Sequence, residues 1–162
     1  MDNYHEDDKE GLRNFLRQPS AHEGKTNGEQ LGLTRSDMDN WQNSEEWVEK
    51  LEDNIEWNNE SPKRLTSLYC LECALLGTLD TSKWSELIAL EVSVNELTVD
   101  VRTNTKLTEL NCFDNELAML DVHTNTKLTE LNCGFNNLTQ ILWLCATRKR
   151  RYCTKISLCT QK

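Results

Sequence analysis

A chain of 162 residues with a formal net charge of −9, 28% charged side chains and a mean hydropathy of −0.68 has the size of one domain and is long enough to bury a core. Its acidic body argues against a partner made of DNA or RNA, whose phosphates demand a basic face, and no apolar run approaches the roughly 20 residues of a membrane span. The opening MDNYHEDDKE has neither the basic nor the apolar region of a secretory signal peptide, and seven cysteines, an odd count, cannot all pair with one another.

Charge divides the chain into three parts. Residues 1–60 carry 16 acidic and 6 basic side chains, residues 61–140 carry 11 and 6, and residues 141–162 carry 6 basic and no acidic ones. In the first part the spacing predicts a helix over DDKEGLRNFLRQ (7–18), with Leu12, Phe15 and Leu16 on one face. PSAHEGKTNGEQ (19–30) reads as a polar linker. Thr34 with Asp37 forms a capping box opening TRSDMDNW, and Ser44 caps SEEWVEKLEDN, where Trp47, Val48 and Leu51 share a face. Four of the five tryptophans, at 41, 47, 57 and 84, stand before or inside the segment that follows.

That segment repeats. NTKLTELNC at 104–112 recurs at 125–133, and the spacing L-x-x-L-x-C-x-x-N-x-L carries Leu107, Leu110, Cys112, Asn115 and Leu117, then Leu128, Leu131, Cys133, Asn136 and Leu138. The same slots hold Leu87, Leu90, Val92, Asn95 and Leu97, and before them Leu65, Leu68, Cys70, Cys73 and Leu75. First leucines at 65, 87, 107 and 128 give steps of 22, 20 and 21. A period of about 20 residues is the signature of a solenoid, in which each unit contacts only its neighbours. Alternation over L-x-C or L-x-V predicts one strand per unit with one face buried. The links, such as DVHTNTK (121–127), predict turns or 3₁₀ segments on the convex side. Asn95, Asn115 and Asn136 sit where the chain leaves the strand, where a side-chain amide can bond the backbone in both directions. A solenoid's first strand has an open edge, and residues 1–64 are expected to cover it as a Trp-rich helical cap.

The positions between the buried slots form outward columns. Tyr69, Glu91, Asn111 and Asn132 make one; Glu109 and Glu130 end another that begins with Ser67 and Ala89. Phe113 and Phe135 belong to the two columns beyond. Aromatic groups beside carboxylates supply rigid contact area for a protein or peptide, including one with basic side chains, so the candidate partner-binding residues are Tyr69, Glu91, Glu109, Asn111, Phe113, Glu130, Asn132 and Phe135. The competing expectation for the two phenylalanines is that they only pack at a turn.

Catalytic signals are missing from the sequence. His5, His22 and His123 are scattered, and neither a G-x-S-x-G, a phosphate-binding glycine loop nor an H-E-x-x-H occurs. We therefore expect no enzyme, no cofactor and no metal. Cys70-x-x-Cys73 reads first as part of the buried column and second as a redox pair or half a zinc site. After Ile141 the repeat breaks: a further unit needs Asn-Thr-x-Leu near 146–149, and the chain reads ILWLCATRKRRYCTKISLCTQK instead. This basic tail, 142–162, is expected to be either the end of a remnant of a longer surface protein or a contact to an anionic surface through RKRR (148–151).

The stretch from Trp41 through IEWNN (55–59), RLTSL (64–68), LLGTLD (75–80) and LIALEVSVNEL (87–97) resembles the N-terminal cap and first repeats of leucine-rich repeat proteins, and the NTKLTELNC units are similar to those of bacterial cell-surface members. The resemblance implies an α/β leucine-rich repeat solenoid: a helical cap (1–64), a curved parallel sheet of about four strands (65–141) and the tail. It also implies non-enzymatic protein or peptide recognition on the concave sheet, at the cell surface or in secreted form, with a cytoplasmic location as the alternative. Oligomeric state stays open; an unsealed last strand can pair with a second copy.

Overall fold

In a computed structural model of the chain, residues 3–142 and 155–157 are described. Four short helices come first: α1 (Glu6–Leu16), α2 (Asn27–Gln30), α3 (Arg35–Asn40) and α4 (Glu46–Glu49). Ten strands follow: β1 (Ile55–Trp57), β2 (Leu65–Tyr69), β3 (Leu76–Asp80), β4 (Ala89–Glu91), β5 (Glu96–Asp100), β6 (Glu109–Asn111), β7 (Met119–Asp121), β8 (Glu130–Asn132), β9 (Gln140–Leu142) and β10 (Lys155–Ser157). They build a mixed α/β structure around a parallel-strand solenoid of about three turns. A six-stranded sheet runs β1-β2-β4-β6-β8-β10, and the pairs β3-β5 and β7-β9 form two small sheets on the other side of each coil.

Stacking is in register. Leu68, Leu90, Leu110 and Leu131 stand side by side on neighbouring strands, flanked by Ser67, Ala89, Glu109 and Glu130 on one side and Tyr69, Glu91, Asn111 and Asn132 on the other. Because side chains alternate along a strand, this single register buries the leucines and turns the flanking residues to the opposite face. Leu68, Leu90, Leu110 and Leu131 are at most 2% exposed, and Cys70, Val92, Cys112 and Cys133 are fully buried one step on. From the far side Leu79, Val99 and Leu120, in β3, β5 and β7, close the core.

The ladder asparagines hold the coils together. Asn95 donates to the carbonyls of Cys70 (2.7 Å), Val92 (3.0 Å) and Ser93 (3.1 Å) and accepts from the amides of Cys73 (3.2 Å) and Leu75 (2.9 Å). Asn115 repeats the scheme with the Val92 carbonyl (2.8 Å) and the Leu97 amide (3.0 Å), and Asn136 with the Cys112 carbonyl (2.8 Å) and the Leu117 amide (2.9 Å). Each side chain thus ties its own turn to the coil before it, satisfying groups that would cost about 1–3 kcal/mol each if left alone in the core. Just ahead of each asparagine the chain turns through a left-handed residue: Val94, Asp114 and Phe135 have φ of 57°, 52° and 53°.

A second ladder runs at the opposite corner, unread in the sequence. Asn104 donates to the carbonyls of Thr81 (3.1 Å) and Trp84 (2.9 Å), and Asn125 to those of Val101 (2.9 Å) and Asn104 (2.8 Å). Trp84 occupies this slot in the first coil, its amide bonding the Thr81 carbonyl at 3.0 Å as that of Asn104 bonds Val101 at 3.1 Å, and the Thr81 hydroxyl donates to the Asp100 carbonyl at 2.7 Å.

Several expectations need correction. The links carry parallel strands, β3 with β5 and β7 with β9, where turns or 3₁₀ segments alone were expected; no 3₁₀ helix occurs among the described residues. The free edge of β2 is paired by an antiparallel strand, β1, rather than by a helix, with Ile55 opposite Leu68. The supposed linker 19–30 contains α2, opened by a capping box between Thr26 and Glu29. The expected box of Thr34 with Asp37 is present, whereas α4 spans only four residues; its Ser44 hydroxyl accepts from the Glu46 amide at 3.2 Å. The sheet also does not stop at 141. Lys155 pairs with Glu130, Ile156 with Leu131 and Ser157 with Asn132, a step of 25 residues against the earlier 20 to 22.

The helices are anchored on the first coil. Asp8 in α1 is fully buried; its carboxylate accepts from Arg64 Nε (2.8 Å) and Nη2 (2.9 Å) and from the Leu65 amide (2.8 Å). The Trp84 indole donates to the Asp8 carbonyl at 3.2 Å, and Gly11 lets α1 approach, since a Cβ there would lie 2.5 Å from Trp84 Nε1. The outer edge of β3 is met by two amide side chains acting as a substitute strand. Gln18 bonds the Thr78 carbonyl (2.8 Å) and amide (2.9 Å), and Asn27 bonds the Leu76 carbonyl (3.0 Å) and amide (3.1 Å).

Candidate functional site

The outward face of the six-stranded sheet holds a shallow depression of about 420 Å³. It is lined by Tyr69, Glu91, Glu109, Asn111, Glu130 and Asn132, with Ala89 and the edges of Leu90, Leu110 and Leu131 as its floor. Six of the eight residues picked from the sequence therefore meet in one place, and the reason is the register: each coil presents its third and fifth repeat positions to the same side.

Hydrogen bonds fix part of this surface. Glu91 accepts from Asn111 Nδ2 (2.6 Å), from the Ser93 amide (2.9 Å) and from the Ser93 hydroxyl. Asn111 in turn accepts from the Phe113 amide at 3.2 Å. Glu56, on β1, extends the row and was missed because that segment was read as helical; its carboxylate accepts from Ser67 (2.9 Å) and Tyr69 (3.4 Å). Asn132 Oδ1 is buried without a hydrogen-bond partner among the described residues. The face is thus rich in acceptors: carboxylates of Glu56, Glu91, Glu109 and Glu130 stand on four different strands.

Phe113 and Phe135 do not join it. They follow the ends of β6 and β8, in the turn, and stack on one another with ring centroids 5.0 Å apart and planes tilted by 51°. The Phe113 ring lies over Gly134, where a Cβ would come within 3.3 Å of it. This is the packing role weighed against the binding one, although Phe135 keeps 43% of its surface exposed.

Of the histidines, His22 meets Gln30 at 3.1 Å, and His123 meets Asp121 at 2.5 Å beyond β7. Among the described residues no group of three or more His, Cys, Asp or Glu side chains is placed to hold a metal ion, and no helix is long and apolar enough to cross a membrane. The basic run 148–151 and Cys145, Cys153 and Cys159 lie outside the described residues. No protein-family model, curated protein or solved structure matches the chain.

Proposed function

We propose that the chain is a leucine-rich repeat recognition module that binds an extended, Lys- and Arg-rich segment of a protein partner on the outward face of its six-stranded sheet, without chemistry. The acceptor-rich depression carries this reading. Carboxylates of Glu91, Glu109 and Glu130 on the neighbouring strands β4, β6 and β8, with Glu56 on β1 beyond β2, favour a ligand that brings donors and positive charge, and such complementarity sets register and partner choice. Six strands at about 4.8 Å spacing make a face about 24 Å across, which accommodates about seven residues of extended chain. The segment before β2 serves as the cap of the solenoid: α1 and Trp84 close one end of the core, and β1 occupies the strand edge that a partner or second copy would otherwise pair with. The family resemblance adds a bacterial cell surface or the exterior as the setting.

Fluorescence anisotropy with a labelled Lys/Arg-rich decapeptide tests the reading, with an uncharged peptide of equal length as control. Saturable binding that weakens with salt is expected for the basic peptide alone. Replacing Glu109 and Glu130 together by Gln removes two exposed charge contacts of about 0.2–1 kcal/mol each, a loss of about 2- to 30-fold in affinity. Equal binding of both peptides, or an unchanged affinity in the double variant, overturns the proposal.

A further inference from the structure

The outward columns of the sheet do not stop where its strands end. The Cys70, Val92 and Cys112 amides donate to the carbonyls of Glu91 (2.7 Å), Asn111 (2.8 Å) and Asn132 (2.8 Å). Two residues further on the same pairing recurs: the Glu72 amide donates to the Ser93 carbonyl (3.0 Å), that of Val94 to Phe113 (2.9 Å) and that of Asp114 to Gly134 (2.9 Å). Alternation therefore adds a third column, Leu71, Ser93, Phe113 and Gly134, beside the row of Tyr69, Glu91, Asn111 and Asn132. Its exposed points are apolar. Leu71 keeps 59% of its surface exposed, and of the five large apolar side chains exposed among the described residues, Tyr69, Leu71 and Phe135 stand along this one rim. Gly134 has no side chain, so the Phe113 ring lies over it and meets Phe135. Phe135 holds a left-handed backbone (φ 53°), as Asp114 does one coil earlier (φ 52°). Asp or Asn suits that conformation better than a bulky ring, and water suits a half-exposed ring poorly, so the coil itself does not call for phenylalanine there.

We propose, resting on the recognition reading above, that this rim is the second wall of the same ligand site, and that the partner's extended segment alternates basic and large apolar side chains. The basic residues lie toward Glu109 and Glu130, and the apolar ones lie on Leu71 and the Phe113–Phe135 pair.

Strand geometry sets this pattern. At about 3.3 Å per residue, the Glu109–Glu130 row and the phenylalanine rim stand about 13 Å apart, with Asn111 and Asn132 midway. An extended chain running from coil to coil over the asparagines points successive side chains to opposite sides, one toward each wall. Charge decides which side is which: carboxylates line one wall, and Leu71, Phe113 and Phe135 on the other carry none. Leu71 and Phe135 lie three coils apart, about 14 Å, a distance that about four residues of extended chain cover. A segment running along the strands would instead need its basic and apolar residues in separate blocks.

Anisotropy titrations of the full chain with labelled decapeptides test the pattern. One peptide alternates Lys and Leu, a second has the same composition as a Lys block followed by a Leu block, and a third is all Lys. The alternating peptide is expected to bind about 10-fold more tightly than either of the others, the factor that covering about 60 Å² of apolar surface gives. Phe135→Asn, which suits the left-handed slot, should erase most of that advantage, and Leu71→Ser, at a mostly exposed position, should reduce it. Binding of the all-Lys peptide should stay unchanged in both variants, and circular dichroism confirms that both fold. Equal affinity for the alternating and all-Lys peptides, tightest binding of the blocked peptide, or an advantage that survives in both variants overturns this proposal and leaves the basic-segment reading standing. Failure of all the peptides to bind overturns both.

Discussion

Removing one ladder asparagine tests how the solenoid is held, because the consequences differ from coil to coil. Asn115→Ala withdraws a donor from the carbonyls of Val92, Cys112 and Phe113, yet each keeps another: Asn95 at 3.0 Å, Asn136 at 2.8 Å and the Val94 amide at 2.9 Å. The group left alone is the Leu97 amide, in a residue with no exposure, at about 1–3 kcal/mol. Asn95→Ala has no such backing at the start of the ladder. It strands the buried Leu75 amide and the buried Cys70 carbonyl, and frees the half-buried Cys73 amide, for about 3–5 kcal/mol. Urea unfolding followed by tryptophan fluorescence and far-ultraviolet circular dichroism measures both. Asn95→Ala should lower the midpoint clearly more than Asn115→Ala, with unchanged slopes. If Asn115→Ala is the costlier of the two, or Asn95→Ala costs under about 1 kcal/mol, the shared-carbonyl account is wrong.

Three further outcomes follow from the contacts between the helices and the first coil. Asp8→Ala leaves Arg64 without its buried partner and the Leu65 amide without its acceptor, and should cost about 3–5 kcal/mol in the same unfolding assay. Gly11→Ala sets helix propensity against space: alanine gains about 1 kcal/mol in a helix interior, but its Cβ would stand 2.5 Å from Trp84 Nε1, so the expected sign is destabilisation, by about 1–3 kcal/mol, read as a lower midpoint. Asp37 is held at about 2, below its usual 3.8, by Lys50 (2.6 Å) and the Thr34 amide (2.8 Å). A lowered carboxylate stabilises above its unfolded value and loses that contribution as the pH falls, so stability should drop between about pH 4 and pH 2, and Asp37→Asn should flatten that part of a pH-dependent melting series.

The solenoid was legible because in-register stacking forces like residues into like slots. Leucine at four steps, Cys or Val two positions on, and Asn before the next apolar residue form a code that the interior imposes. The second row of strands was harder to read. LGTLD and ELTVD alternate, but β7 is only three residues long, and its single buried leucine, Leu120, does not distinguish a strand from a turn. The second ladder hid because the first coil holds Trp84 in its slot, not asparagine, so only Asn104 and Asn125 share a residue type there. β10 was missed because its step of 25 breaks the period and no Asn-Thr-x-Leu announces it. The grouping of six candidate residues in one depression was legible because they share the sheet's alternation; the two phenylalanines lie outside it because the strands β6 and β8 end before they are reached.

The sheet face also sets binding against stability in a way that one substitution separates. Register places Glu109 directly beside Glu130 on the neighbouring strand, between it and Ala89, and like charges so placed are destabilising by about 0.2–1 kcal/mol. The buried slots do not require this pair: Leu110 and Leu131 are satisfied whatever stands beside them on the outward face. Under the proposed function a cationic side chain lying between the two carboxylates relieves the repulsion when the ligand binds. Glu109→Gln should therefore raise the melting temperature of the free chain slightly while shrinking the rise produced by saturating basic peptide. The binding free energy behind that rise should reach about 2.7 kcal/mol in the wild type at 100 times the dissociation constant. Opposite signs in one variant cannot come from a general loosening of the fold, which would lower both. If Glu109→Gln instead destabilises the free chain, the carboxylate belongs to the scaffold, and the face must be assigned to packing rather than to recognition.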